Sequence, residues 1–252
     1  MERNITNTVI VLSLRAVGES SRLATCISPE RGVFTAMVFG GRKGKLKSLV
    51  SPYHSGKMWL YVDSSKNSIK VQDFDVLETR PSIRENIYKT CAAALGAELV
   101  IKTGGVSEPE TMFYLIKGFL DGLNLVNENS AKTGTLRFLW RYLEFMGLQP
   151  DCFFCSTCRT PFSKNSVRLY SATENGFICN DCIAEFPSGF NFPIGDEAIH
   201  YLQKVTSLPP NQSRATALSQ NSYNELHQLL FFLISQAAES KLHSLEAGRD
   251  IL

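Results

Sequence analysis

Residues 8–39 read TVIVLSLRAVGESSRLATCISPERGVFTAMVF. Three runs rich in Val, Ile, Leu, Phe and Thr are separated by Gly18-Glu19-Ser20-Ser21 and by Pro29-Glu30-Arg31-Gly32, residue types that reverse a chain rather than extend it. No helical period crosses the separators, so the stretch predicts strands over Thr8–Arg15, Leu23–Ser28 and Gly32–Phe39. Two more are predicted downstream, Met58–Val62 and Ile69–Leu77, on either side of Asp63-Ser64-Ser65-Lys66-Asn67. Five short strands in about eighty residues suit a small closed barrel of the OB type. An SH3-like barrel would give a similar pattern, and periodicity alone does not choose between them.

Beyond Pro81 the period changes. Ile83, Ile87, Cys91 and Leu95 are spaced i, i+4, and Ala92–Ala97 favours helix except at Gly96, which predicts a helix over 82–103 ended by Gly104-Gly105. A second helix is expected to start at Ser107, where Ser107-Glu108-Pro109-Glu110 has the form of a cap with an acidic first turn. A third is predicted over Thr135–Met146. After the cysteine-rich segment come a short helix over Asp196–Val205, a polar loop over Ser207–Ser213 and a final helix over Ser222–Leu245. The expected class is therefore α+β and multidomain. An OB-type barrel (residues 1–80) precedes a helical domain in two parts (81–150 and 189–252), with a four-cysteine zinc knuckle (151–188) inserted between them.

The net charge of +2 conceals an uneven distribution. Residues 1–80 hold 12 Lys and Arg against 7 Asp and Glu, while the last 64 residues hold 4 against 6. A polyanion should meet the first third of the chain. No run approaches the roughly 18 uninterrupted apolar residues of a membrane helix. The short apolar run near the N-terminus has no small-residue cleavage site after it, so a cytoplasmic protein without a signal peptide is expected.

Seven cysteines are an odd number for a disulfide scaffold, and four stand as two C-x-x-C pairs with twenty residues between the pairs. Each such pair sets two thiolates on one tight turn, and two facing turns complete a tetrahedron. The first pair is ambiguous, since Cys152-Phe153-Phe154-Cys155 and Cys155-Ser156-Thr157-Cys158 both fit. Arg159-Thr160-Pro161 forms a basic turn directly after Cys158, which favours Cys155, Cys158, Cys179 and Cys182 as ligands of a structural Zn2+. Cys152 is then a small apolar residue. A redox or disulfide role is the competing account of these cysteines. Neither a zinc-protease pattern nor the deaminase pattern H-x-E followed by P-C-x-x-C occurs.

Gly40-Gly41-Arg42-Lys43-Gly44-Lys45-Leu46-Lys47-Ser48 places four cations within six residues. Arg42, Lys43, Lys45 and Lys47 are candidate phosphate contacts, since cations on a glycine-rich loop neutralise phosphates and release counterions. The loop is not a nucleotide-binding P-loop: Phe39 stands where the first glycine is needed, and Leu46 follows Lys45. Phe34, Phe39, Tyr53 and Trp59 offer stacking surfaces in principle, but a barrel core is the expected place for them.

These parts together resemble the RecO family. The string GGRKGKLKSLVSPY over residues 40–53 is similar to that family's barrel loop, a Gly-x-Arg start with a Pro-aromatic pair downstream. RYLEFMGLQP over residues 141–150 resembles the helix end that leads into its zinc knuckle. Two positions depart from the pattern: Cys152 stands where an apolar residue such as Leu is usual, and Arg159 where a Gly commonly follows the second cysteine.

The resemblance implies a non-enzymatic mediator of RecF-pathway repair. Such a protein binds single-stranded and double-stranded DNA, anneals complementary strands, associates with RecR and the tail of single-strand-binding protein, and helps load RecA. A nucleoid-associated cytoplasmic protein that avoids membranes would follow. The competing class is a zinc-ribbon and OB-module RNA-binding or ribosome-associated factor, since OB barrels accept RNA as readily as DNA. An enzyme is not expected, because His54, His200, His227 and His243 show no triad or metal spacing, and His227 and His243, sixteen residues apart on one predicted helix, are read as surface or core residues.

Overall fold

The computed structural model describes residues 3–40, 44–104, 108–163, 166–185, 191–238 and 240–252. By internal packing the chain divides into two units, Met1–Ala131 with Leu242–Leu252, and Lys132–Lys241.

The first unit contains the strands β1 (Asn4–Val17), β2 (Ser21–Ser28), β3 (Gly32–Val38), β4 (Ser55–Asp63) and β5 (Ser68–Glu78), with a one-turn helix α1 (Leu46–Leu49) between β3 and β4. β1 serves two neighbours. Its first half pairs antiparallel with β4, its second half with β2, and an irregularity between Val11 and Ser13 lets it bend from one to the other. A parallel contact between β3 and β5 at Met37 and Lys70 completes a closed barrel in the order β1-β2-β3-β5-β4. Inside, Val9, Val11, Ala24, Ala36, Val38, Met58, Leu60 and Phe74 form the core. Cys26 lies fully buried among them, and burial pushes its thiol up to about 12, so it acts as a small apolar residue. Gly56 is required for closure: a Cβ there would lie 2.0 Å from the Asp75 carbonyl oxygen, where β4 and β5 come closest.

The helix expected over 82–103 is two helices, α2 (Pro81–Arg84) and α3 (Ile87–Thr103). The Asn86 side chain accepts a hydrogen bond from Lys89 N and starts a new helix, which leaves Ile87 exposed rather than on an apolar stripe. α4 (Pro109–Leu125) begins with Pro109 in its first turn and Glu108 at the cap, while the predicted cap Ser107 lies outside the described residues. Gly96 interrupts the alanine-rich α3 because α4 packs there. A Cβ would meet Phe119 at 2.8 Å and Ile116 at 3.3 Å.

α4 also packs against β2 and β3. Its base is joined to the end of β5 by an ionic cluster: Arg80 pairs with Glu78 and Asp121, and Lys117 pairs with the same two carboxylates. Arg80 has a left-handed backbone (φ 50°), and its side chain is 2% exposed.

α5 (Glu128–Phe145) starts well before the predicted Thr135, because Asn127 Oδ1 accepts from Ser130 N and caps it. In the second unit, β6 (Val167–Ser171), β7 (Gly176–Cys179) and β8 (Asn191–Pro193) form a three-stranded sheet with β6 central. The third strand comes from beyond residue 188.

α6 (Asp196–Ser207) packs beside α5. Trp140 Nε1 donates to Thr206 Oγ1 at 2.8 Å, and Arg141 donates to the carbonyls of Val205 and Leu208 at the C-terminal end of α6. The expected polar loop contains the short helix α7 (Pro210–Ser213). The expected final helix is α8 (Gln220–Ala237) followed by a separate α9 (His243–Ala247), so His227 and His243 do not share a helix. α9 belongs to the first unit, where Glu98 accepts from the backbone of His243 and Ser244.

Candidate metal centre and candidate nucleic-acid interface

Two turns bring four thiols together. In the first, Cys155 N donates to Thr160 O and Arg159 N to Cys155 O, both at 3.0 Å, folding the chain around Cys155 and Cys158. In the second, β7 ends at Cys179 and Cys182 N donates to Cys179 O at 3.2 Å. Ser156 N donates to Phe177 O and joins the first turn to β7. The sulfurs of Cys155, Cys158, Cys179 and Cys182 all lie within 4.8 Å of one another. All seven cysteines are free of disulfides.

The cluster fits a tetrahedral thiolate site and can hold a metal ion. Metal–sulfur bonds of about 2.3 Å place tetrahedral sulfurs about 3.8 Å apart, and Cys158 Sγ is 3.6 Å from Cys179 Sγ. The amide of Cys179 donates to Cys155 Sγ at 3.4 Å, a contact that favours a thiolate. Hydrogen bonds from the Thr160 hydroxyl and backbone lower the Cys158 thiol to about 6, while burial raises Cys179 and Cys182. A bound divalent cation reverses that resistance to ionisation.

Cys152 stands apart from the four. It is buried with Sγ 3.9 Å from Thr206 Oγ1, and burial holds its thiol up at about 11. Arg159, where a glycine commonly stands, has φ 59°. It keeps this left-handed conformation with its guanidinium 5.7 Å from the Phe154 ring centroid and 3.7 Å from Asp151.

The basic loop leaves β3 through Gly40 (φ 62°), and Gly44 N donates back to Gly40 O at 2.7 Å before α1 begins. Arg42 and Lys43 lie outside the described residues. Lys45 forms an ion pair with Asp73 of β5 at 3.0 Å, and Lys47 is exposed on α1. Arg22 donates to the carbonyls of Leu46 and Lys47 and anchors that helix to β2.

Of the four aromatic residues expected in the core, two are elsewhere. Phe34 packs against the barrel core and Tyr53 is half-buried, its hydroxyl pushed up to about 12 by burial. Phe39 is 56% exposed and Trp59 is 37% exposed. Phe39 directly follows Val38, the core-facing end of β3, and Trp59 is turned outward by the two-residue period of β4. Met58 and Leu60 face inward, so Lys57, Trp59 and Tyr61 face outward. The alternation in Lys57-Met58-Trp59-Leu60-Tyr61 was the available signal.

His54 is structural. Its Nδ1 donates to Leu49 O at 2.8 Å, which leaves Nε2 to accept from Arg84 Nη2 at 2.9 Å. Burial, first of all, holds its pKa below the ordinary histidine value. The unfolded chain therefore takes up this proton more readily than the fold does. Stability should fall as pH drops below about 6.5. Urea midpoints measured between pH 8 and pH 5.5 should show this slope, and His54→Gln should flatten it.

Residues 1–80 match the family model described as recombination protein O N terminal, and residues 84–246 match recombination protein O C terminal. The chain belongs to the RecO family. Among curated RecO proteins, the "DNA repair protein RecO" of Bacillus subtilis is 26% identical over 224 residues, covering 88% of this chain and 84% of the relative. Those of Desulforamulus reducens (25% identical, covering 94% and 91%) and Syntrophotalea carbinolica (25%, covering 71% and 70%) carry the same name. The RecO barrel is the closed OB-like sheet described above, and the RecO C-terminal match contains the four-cysteine cluster. Among the described residues, no helix is long and apolar enough to cross a membrane.

Proposed function

We propose that this chain is a DNA-binding recombination mediator of the RecF pathway. It binds and anneals single-stranded DNA, also engages duplex, and helps load RecA onto strands coated by single-strand-binding protein. The observation that carries the reading is the match to RecO family models over residues 1–80 and 84–246. The basic loop on the barrel supports it, since it presents Lys47 to solvent and holds Lys45 in a surface ion pair exchangeable for phosphate. Arg42, Lys43, Lys45 and Lys47 are the first phosphate contacts, and annealing follows from neutralising two strands held on one surface.

RecR and the acidic tail of single-strand-binding protein are its protein partners. The action is binding rather than covalent chemistry. Zn2+ is the metal assigned to Cys155, Cys158, Cys179 and Cys182. It supplies a structural cross-link, while the chain's own residues contribute thiolates, the Cys179 amide and the turns that orient them.

The test is annealing of complementary labelled oligonucleotides, bare and coated with single-strand-binding protein. Wild type should accelerate annealing on both substrates, and the variant with Arg42, Lys43, Lys45 and Lys47 changed to Ala should not. No acceleration by a folded wild type would contradict the proposal.

A further inference from the structure

OB barrels that hold oligonucleotides commonly use the face of strands 2 and 3. In this chain α4 packs against both β2 and β3. The outer surface of β4 and β5 instead carries an unusual set of side chains. Lys57, Trp59 and Tyr61 project from β4 at alternate positions, and Lys70 of β5 is the register partner of Tyr61. Lys70 Nζ lies 5.5 Å from the Phe39 ring centroid and 5.9 Å from that of Tyr61, while Lys57 Nζ lies 5.8 Å from the Trp59 ring. Trp59 is the register partner of Asp73, the residue that holds Lys45, so the aromatic strip adjoins the basic loop.

We propose that the β4–β5 face is a stacking platform for single-stranded DNA, in which Trp59 and Tyr61 each take one unstacked base and thereby give preference for single strand over duplex. The proposal rests on the DNA-binding reading above and assigns the selectivity to residues outside the basic loop. Alternate strand residues lie about 6.6 Å apart, roughly twice the 3.4 Å step between stacked bases. A strand laid along β4 must therefore be extended, with its bases separated, and a base-paired duplex cannot meet that condition.

Charge on this face is mixed. Asp73 and Asp75 lie opposite Trp59 and Lys57, and Asp73 is already paired with Lys45. The affinity this face adds therefore comes mainly from stacking, and salt should affect it little, whereas the basic loop contributes the salt-dependent part.

The intrinsic probe is favourable. The chain has two tryptophans, and Trp140 is fully buried, so a fluorescence change on adding oligonucleotide reports Trp59. The experiment titrates full-length protein with a polypyrimidine single strand and with a duplex of equal length at several salt concentrations. It compares wild type, Trp59→Phe, and Trp59→Ala combined with Tyr61→Ala, with thermal melting to confirm folding.

We expect single strand, not duplex, to quench wild-type fluorescence. Trp59→Phe should bind normally with the quench lost. The double variant should bind single strand at least roughly tenfold more weakly, with unchanged duplex affinity and an unchanged salt slope. Equal single-strand binding by wild type and the folded double variant would overturn the platform while leaving the DNA-binding reading intact. An equal loss on duplex would also overturn it. Failure of the folded wild type to bind single strand at all would remove the DNA-binding reading and the platform with it.

Discussion

Cys155→Ser should fail to retain the Zn2+ proposed for the four thiols and, with it, the order of the segment around them. The reason is energetic. β6, β7 and β8 contribute only five, four and three residues, too few to hold a sheet by burial alone. Structural zinc in small domains supplies on the order of 10 kcal/mol of apparent binding energy that is also folding energy. Removing one of four thiolates should weaken retention by more than roughly a hundredfold, beyond the usual cost of losing an outer-shell partner. Metal content after dialysis, together with amide exchange in β6 and β7, reads both effects. Cys152→Ser is the control. It should keep the metal, because its sulfur sits against Thr206 outside the cluster. Retention of metal by Cys155→Ser, or loss from Cys152→Ser, would contradict the ligand assignment.

Arg80→Ala should lower the unfolding free energy by about 3 kcal/mol, the low end of the range for breaking a buried ion pair. Arg80 Nε donates to Asp121 at 2.7 Å, Nη1 to the Tyr53 carbonyl at 2.7 Å and to Ser55 Oγ at 3.0 Å, and Nη2 to Glu78 at 2.6 Å. Truncation leaves that carbonyl without this donor and removes the shared cation from two carboxylates. The cost stays at the low end because Lys117 still pairs with Glu78 and Asp121, and both acids retain contact with water. In a unit of this size the melting temperature should drop by roughly 10 °C. Arg80→Lys should recover less than half, since an ammonium cannot reproduce a planar fork that meets two acids and two neutral oxygens at once. A change under about 1 kcal/mol would show that the cluster does not tie the barrel to α4.

Local chemistry makes part of this legible in the sequence. Turn residues locate all five barrel strands, and the spacing of two C-x-x-C pairs identifies four cysteines that the structure brings within 4.8 Å. Closure of the barrel is less accessible, because it depends on β1 pairing with both β2 and β4 and on a single parallel contact at Met37 and Lys70.

The i, i+4 spacing of Ile83 and Ile87 spans a helix break, since apolar period alone does not detect a cap at Asn86. In the sequence Arg80 is one more cation in the basic third of the chain, and its partner Asp121 lies 41 residues away. Trp59 departs from expectation for a different reason. An aromatic residue in a strand suggests core, but its neighbours Met58 and Leu60 already take the inward positions.

The measurement that tests the central claim most directly is equilibrium binding of labelled single-stranded DNA across a salt series, for wild type and for the variant with Arg42, Lys43, Lys45 and Lys47 changed to Ala. Each phosphate neutralised on a single strand contributes about 0.7 to the slope of log affinity against log salt. Wild type should bind with a steep slope. The variant should be weaker at low salt and shallower by roughly 2, short of the roughly 2.8 expected for four phosphates, because Lys45 must first leave Asp73. A wild type that does not bind, or a variant whose affinity and slope match it at every salt, would contradict the account.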